Sequence, residues 1–182
     1  MMPYHLRRWQ IGDEPALAKY ANNYRIWRNV RDSFPHPYTL DDAHHWIELC
    51  EMEKRPTVFA IDVEGEAVGG VGIILQKDVF RKNAEIGYWL AEPFWGRGIM
   101  AEAVKEMTEY TFRHYEVHRL YAGVFEYNRA SMRVLEKAGY QFEAVLRQSV
   151  CKEDKIWDEH VYVKFREETK NPDKTGISSG LL

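Results

Sequence analysis

The sequence predicts a mixed α/β domain, and three observations carry that expectation. Three apolar runs succeed one another between residues 57 and 92 with only turns between them, the pattern of an antiparallel meander. The doublet Gly96-Arg97-Gly98 then breaks the chain sharply between a strand and a helix. A further apolar run at 119–125 follows that helix, so its two flanking strands form a βαβ unit and run parallel.

The elements read in order as follows. Residues 4–10 form a short first strand. Asp13 is placed to cap the helix that follows, with Pro15 in its first turn, where the missing N–H costs nothing. Leu17, Tyr20 and Ala21 give that helix one apolar face. Asp32, Ser33, Pro35 and Pro37 mark residues 29–38 as an ordered loop. Thr39 and Asp42 resemble a capping box, and Ala43, Trp46, Ile47 and Cys50 continue as a helical stripe. The meander comprises 57–63, 67–75 and 83–92, turned at 64–66 and 78–83. A helix over 101–115 buries Ala103, Val104, Met107 and Thr111. Asn128 caps a last helix that runs to Ala138, with Gly139 just past its end. Residues 140–147 and 159–165 form a final pair of strands, with Cys151 in the loop between them. The domain spans 1–166, and 167–182 is a polar tail.

Composition narrows the function. The chain has 182 residues, enough for one domain with a real core, at 45% hydrophobic and 29% charged. Lys and Arg total 25 against 28 Asp and Glu, a formal charge of −3, so bulk charge does not favour nucleic acid. No apolar run reaches membrane-spanning length, and the first ten residues lack the apolar stretch of a signal peptide. Two cysteines make no disulfide framework. These features fit a cytoplasmic protein. Of seven histidines, His44 and His45 point apart on a helix and His114 and His118 straddle a helix end, so no metal site is expected. An exposed final strand is able to pair two subunits into a homodimer.

Glycines between a strand and a helix let successive backbone N–H groups approach a ligand, and the helix adds its unpaired N–H groups and positive dipole end. That combination suits a phosphate or pyrophosphate, with Arg97 adding charge. It is neither a Walker loop nor a dinucleotide fingerprint, since residue 101 is Ala rather than Gly. A plain strand-to-helix turn fits the spacing equally well.

Residues 84–102, AEIGYWLAEPFWGRGIMAE, resemble the acetyl-CoA-binding core of the GNAT N-acetyltransferase superfamily. Residues 128–142, NRASMRVLEKAGYQF, resemble its second CoA-contacting segment. Residues 33–47, SFPHPYTLDDAHHWI, resemble the acceptor-side segment of the branch containing the ribosomal-protein N-terminal acetyltransferases. The superfamily loop [QR]-x-x-G-x-[GA] falls on residues 95–100. Trp95 replaces Gln or Arg there, and Met100 replaces a small residue, which implies local repacking.

The resemblance implies a GNAT-like mixed central sheet: an antiparallel N-terminal meander, a splayed parallel pair of strands and helices on both faces. It implies acetyl-CoA as cosubstrate, direct transfer to a primary amine in a ternary complex, and a protein N-terminus as acceptor. A small amine, or acyl-CoA binding without turnover, is the alternative. The pantetheine arm would wedge between the strands at 84–91 and 119–125, where the backbone N–H of Leu90 polarises the thioester oxygen. The pyrophosphate would sit on the N–H groups of Gly96, Arg97, Gly98, Ile99, Met100 and Ala101. Asn128 would bond the pantetheine arm or a water, and Ser131 would place a hydroxyl near the leaving sulfur. Many members carry a Tyr four residues after Ser131; here that position is Leu135. Glu85 is either the base or the partner of a basic side chain. Phe34, His36, Tyr38 and Tyr88 are the expected acceptor-side residues, with Trp27 and Arg28 contributing similarly.

Overall fold

The protein is described by a computed structural model over residues 2–167. The element order is β1 (His5–Arg7), α1 (Glu14–Ala21), α2 (Tyr24–Trp27), α3 (Leu40–Met52), β2 (Val58–Val63), β3 (Glu66–Leu75), β4 (Asn83–Leu90), α4 (Ile99–His114), β5 (Arg119–Phe125), α5 (Arg129–Lys137), β6 (Gln141–Lys152) and β7 (Lys155–Phe165). Single 3-10 turns occupy Asp78–Phe80 and Glu92–Phe94. The expected polar tail falls almost wholly on 168–182, outside the described residues.

Seven strands make one sheet in the order β1-β2-β3-β4-β5-β7-β6. The meander β2–β3–β4 is antiparallel, as the short turns between its strands require. β4 and β5 are parallel but pair only through Asn83–Arg119, Ala84–Leu120 and Glu85–Tyr121. Beyond those rungs the strands diverge, giving the splayed pair within a mixed sheet that the resemblance implied.

Two apolar clusters hold helices on opposite faces of the sheet. One packs α4 and α5 against Val68, Val71, Ile73, Ile86, Leu120 and Val124. Met107, Leu120 and Leu135 are fully buried there, and burial of side chains of this size contributes roughly 1.5–3 kcal/mol each. The other packs α1 and α3 through Leu17, Ala21, Ala43 and Ile47 against Trp9, Ala60 and Ala67. Alternation along β4 divides its side chains between the two clusters.

Several local expectations change. Asp13 holds the N-cap position of α1, but its side chain makes no capping hydrogen bond. Its carboxylate grips the Arg7 guanidinium at 2.7 and 2.8 Å and accepts from the Gln10 N–H, a charged pairing that outcompetes the helix end. A short helix, α2, interrupts the chain before the acceptor-side loop, with the Asn23 side chain accepting from the Arg25 N–H. At four residues it is too short to show a period in the sequence. Thr39 and Asp42 do form a reciprocal capping box on α3.

The last two strands are longer than expected and meet in one hairpin. Its turn is Glu153-Asp154, both in the left-handed region at φ 54° and 56°. Such a turn usually takes Asn or Gly, so the sequence carried no turn signal there. Cys151 therefore lies on exposed strand β6 rather than in a loop, while burial pushes the Cys50 thiol up to about 12. β6 is the sheet edge and exposes Phe142, Val145 and Leu146.

Candidate active site

The glycine turn leads directly into α4. Gly96 and Gly98 take φ values of 74° and 83°, where a β-carbon would be strained. Gly98 occupies the cap position of α4 without any side-chain cap, so no side chain competes for the first N–H groups of that helix. Ile99, Met100 and Ala101 turn their side chains inward. Met100 is 7% exposed and joins the main core, which is how this loop accommodates a large residue. Arg97 is exposed, with its guanidinium over the Phe94 ring.

Leu90 sits where the splay is open. It faces Gly69 on β3, and the neighbouring Ala91 N–H donates to the Val68 carbonyl at 2.8 Å. That pattern makes Leu90–Gly69 a non-hydrogen-bonded pair, so the Leu90 N–H and C=O point away from β3 toward β5. Its carbonyl accepts from the Trp95 indole at 2.6 Å. Trp95, the departure from the superfamily loop pattern, thus ties the turn to the strand end. The Leu90 N–H faces the gap that β5 has vacated.

Asn128 caps α5: its side-chain oxygen accepts from the Ser131 N–H at 3.1 Å, leaving the amide N–H groups as donors. The Ser131 Oγ lies 2.8 Å from the Tyr88 hydroxyl. Burial pushes the Tyr88 phenol well above its ordinary range, so it stays protonated. Tyr88, expected beside the acceptor, turns instead to the α5 face. The period of two along β4 requires this once Glu85 and Trp89 are assigned to the other face.

That other face carries the remaining residues. Phe34 packs edge-on against Trp89 and lies 4.9 Å from Tyr38. Tyr38 is buried in the α1–α3 cluster rather than lining an open wall. His36 is exposed and stacks on Trp27 at 5.4 Å. Arg28 lies over the rings of Tyr24 and Tyr127. Both oxygens of Glu85 accept from Arg31 Nη2 at 2.6 Å, with the Glu85 side chain 18% exposed and Arg31 62% exposed. Glu85 thus has a basic partner.

Three contributors escaped sequence reasoning: Arg31, Glu159 and Lys152. Glu159, on β7, lies over Gly123 of β5. A β-carbon on Gly123 would fall 2.1 Å from Glu159 Oε1, so in this rotamer the carboxylate fills the space that glycine leaves open. Burial, together with the charge of Glu85, raises the Glu159 pKa. At the hairpin tip the Lys152 ammonium bonds Asp32 at 2.6 Å and sits 3.7 Å above the Trp27 ring. Glu153 accepts from the Tyr24 hydroxyl. The tip is thereby fastened to α2 and the 29–38 loop. Among the described residues no group of three His, Cys, Asp or Glu side chains is arranged to hold a metal ion, and no helix is long and apolar enough to cross a membrane.

The family model for the Acetyltransferase (GNAT) domain matches residues 4–141. The chain belongs to the GNAT acetyltransferase family. Among its GNAT relatives, the uncharacterized N-acetyltransferase YoaA of Bacillus subtilis is 37% identical, covering 87% of this chain and 93% of that one. The ribosomal-protein-serine acetyltransferase of Escherichia coli is 28% identical over 69% of this chain and 79% of its own. The solved structure of Mycobacterium smegmatis RimJ in complex with CoA-disulfide matches with a TM-score of 0.80 at 22% identity, covering 92% of this chain and 84% of that one. That likeness is one of GNAT fold. The GNAT family match stops at Gln141, the first residue of β6, so the hairpin carrying Lys152 and Glu159 lies beyond it.

Proposed function

We propose that this chain transfers the acetyl group of acetyl-CoA to a primary amine by direct attack in a ternary complex. The observation that carries the reading is that two free donor sets follow one another along the chain: the Leu90 N–H aimed into the splay, and then the start of α4, which has no side-chain cap. The residues fit the donor. N–H groups from Gly96 to Ala101 would hold the pyrophosphate, and the Asn128 amide would reach the pantetheine arm. Leu90 would polarise the thioester oxygen, a contribution typical of oxyanion donors. Ser131 would hydrogen-bond the departing sulfur. Binding both substrates in line supplies much of the acceleration.

The acceptor is proposed to be a protein N-terminus, supported by the similarity to the ribosomal-protein-serine acetyltransferase. A small amine is the second reading, favoured by the fastening of the hairpin tip to the acceptor-side loop through Lys152 and Glu153. Phe34, His36 and Trp89 would line either acceptor.

Free-thiol release from acetyl-CoA tests this, with small amines and N-terminally varied peptides as acceptors and product masses read afterwards. Acceptor-dependent release is expected, and the acetylated product names the acceptor class. Acetyl-CoA binding with no release from any acceptor points to a binding role and sinks the transferase reading.

Tyr88 gives a sharper expectation. Either hydroxyl can donate across the 2.8 Å Tyr88–Ser131 contact, and a protonated Tyr88 that donated to Ser131 Oγ would leave the serine proton free for the sulfur. Tyr88→Phe should lower kcat about ten-fold, one lost hydrogen bond to a reacting group, with KM for acetyl-CoA unchanged. In a Ser131→Ala background the same change should do nothing further. An equal loss in both backgrounds would show that Tyr88 acts independently of Ser131.

A further inference from the structure

We infer that Glu159, rather than Glu85, takes the proton from the acceptor amine. The inference rests on the proposed transfer to an amine and names the base within that site.

Glu85 is the carboxylate nearest the sequence expectation, but both its oxygens already accept from Arg31. Glu159 is different. Among the described residues it has no hydrogen-bond or ion-pair partner, although it is half-buried. Partial burial and the nearby Glu85 disfavour its charged form, and carboxyls so perturbed concentrate where chemistry needs them. Its position is specified by the chain. Glu159 pairs with Phe125 across β5–β7, and its carboxylate leans back over Gly123. Gly123 lies two residues past Tyr121, the last residue of β5 that pairs with β4, so the carboxylate overhangs the opening of the splay. Gly87 lies two residues past Glu85 on β4, and a β-carbon there would meet nothing within 4 Å. The two glycines open the gap from both strands, and Glu159 stands over one of them.

The charged and titratable groups acting on Glu159 are Glu85 on β4, Arg31 on the acceptor-side loop and Tyr121 on β5. Two carboxylates against one guanidinium leave one negative charge, which an incoming ammonium neutralises. Glu159 takes the ammonium proton and frees the nitrogen lone pair. The C–N bond then forms, and the C–S bond breaks with its electron pair on sulfur. The proton shed by the amide nitrogen leaves on the sulfur as the thiol, and Glu159 returns its own proton to solvent. A carboxylate with a raised pKa is the better proton acceptor for this step.

The test is the pH profile of kcat/KM for wild type, Glu159→Gln and Glu85→Gln with the acceptor found by thiol release. Wild type should lose activity on acidification through a limb set above the ordinary glutamate range. Glu159→Gln should lose at least about 100-fold in kcat, the low end of general-base contributions, lose that limb, and keep its acetyl-CoA affinity. Glu85→Gln should keep the limb, displaced to lower pH by loss of the neighbouring charge, and raise the acceptor KM. A second measurement needs no acceptor. A carboxyl whose pKa is raised by folding destabilises the protein above its unfolded pKa, and the penalty vanishes on full protonation. Glu159→Gln should therefore raise Tm at pH 7 and leave it unchanged at pH 4. A limb that survives in Glu159→Gln, or that disappears in Glu85→Gln, overturns the inference while leaving the transferase reading intact. An unchanged Tm at pH 7 also overturns it. No acceptor-dependent release by the wild type defeats the transferase reading itself, and the inference with it.

Discussion

Replacing Gly69 with alanine should both destabilise the protein and slow it. Gly69 opposes Leu90 in the close, non-hydrogen-bonded pair of β3 and β4. A methyl group there would lie 2.6 Å from the Trp89 carbonyl oxygen and 3.2 Å from the Leu90 Cα. Those atoms are backbone, so rotamer changes cannot relieve the clash, and β4 must move. Overpacking of this kind costs about 1–3 kcal/mol. The displaced segment carries the Leu90 N–H, so the donor proposed to polarise the thioester shifts with it. Donor misplacement of about 1 Å costs on the order of 100-fold in rate. Gly69→Ala should therefore lower the urea midpoint and reduce kcat more than it raises the acetyl-CoA KM. A variant that keeps wild-type kcat would show that the Leu90 N–H takes no part in the chemistry.

Lys152 should produce the second large effect. Its side chain is 1% exposed, with the ammonium held between Asp32 and the Trp27 ring. Asp32 is 70% exposed, so solvent screens that ion pair and its contribution is small. The contact with the indole is desolvated and is worth about 2 kcal/mol. Lys152→Ala also removes a buried stem, and the combined loss should be about 2–4 kcal/mol. Lys152→Met restores most of the volume and should recover about half of it. Both variants release the hairpin tip from α2. Hydrogen exchange should accelerate at residues 24–32 and 150–155, and the acceptor KM should rise while the acetyl-CoA KM holds. Unchanged exchange at the tip would remove Lys152 as its anchor.

The sequence displayed the donor side far better than the acceptor side. Gly96 and Gly98 were legible because positive φ leaves the chain few other residues to use. The meander was legible because its strands are buried on both faces and so read as short apolar runs separated only by turns. The roles proposed for Leu90 and Ser131 came from the family resemblance of two contiguous segments. Arg31, Glu159 and Lys152 act through partners far away in sequence, at Glu85, Gly123 and Asp32, and no local pattern marks such pairings. Asp13 shows the same limit at shorter range, since its helix-capping chemistry lost to Arg7. For Tyr88 the signal was available, because alternation from Glu85 sends it to the face where its hydroxyl meets Ser131. The hairpin turn was missed because Glu153 and Asp154 adopt left-handed backbone without the residues that advertise it.

Only three rungs join β4 to β5, and past them two main chains border an open slot. Main-chain walls present the same amides whatever side chains stand above and below. Under the proposed transfer, mutation on the face bearing Phe34, Glu85, Trp89 and Glu159 would redraw the choice of amine without disturbing the grip on the thioester. The split seam insulates one half of the reaction from change in the other. A single backbone can thus serve many recipients with one donor.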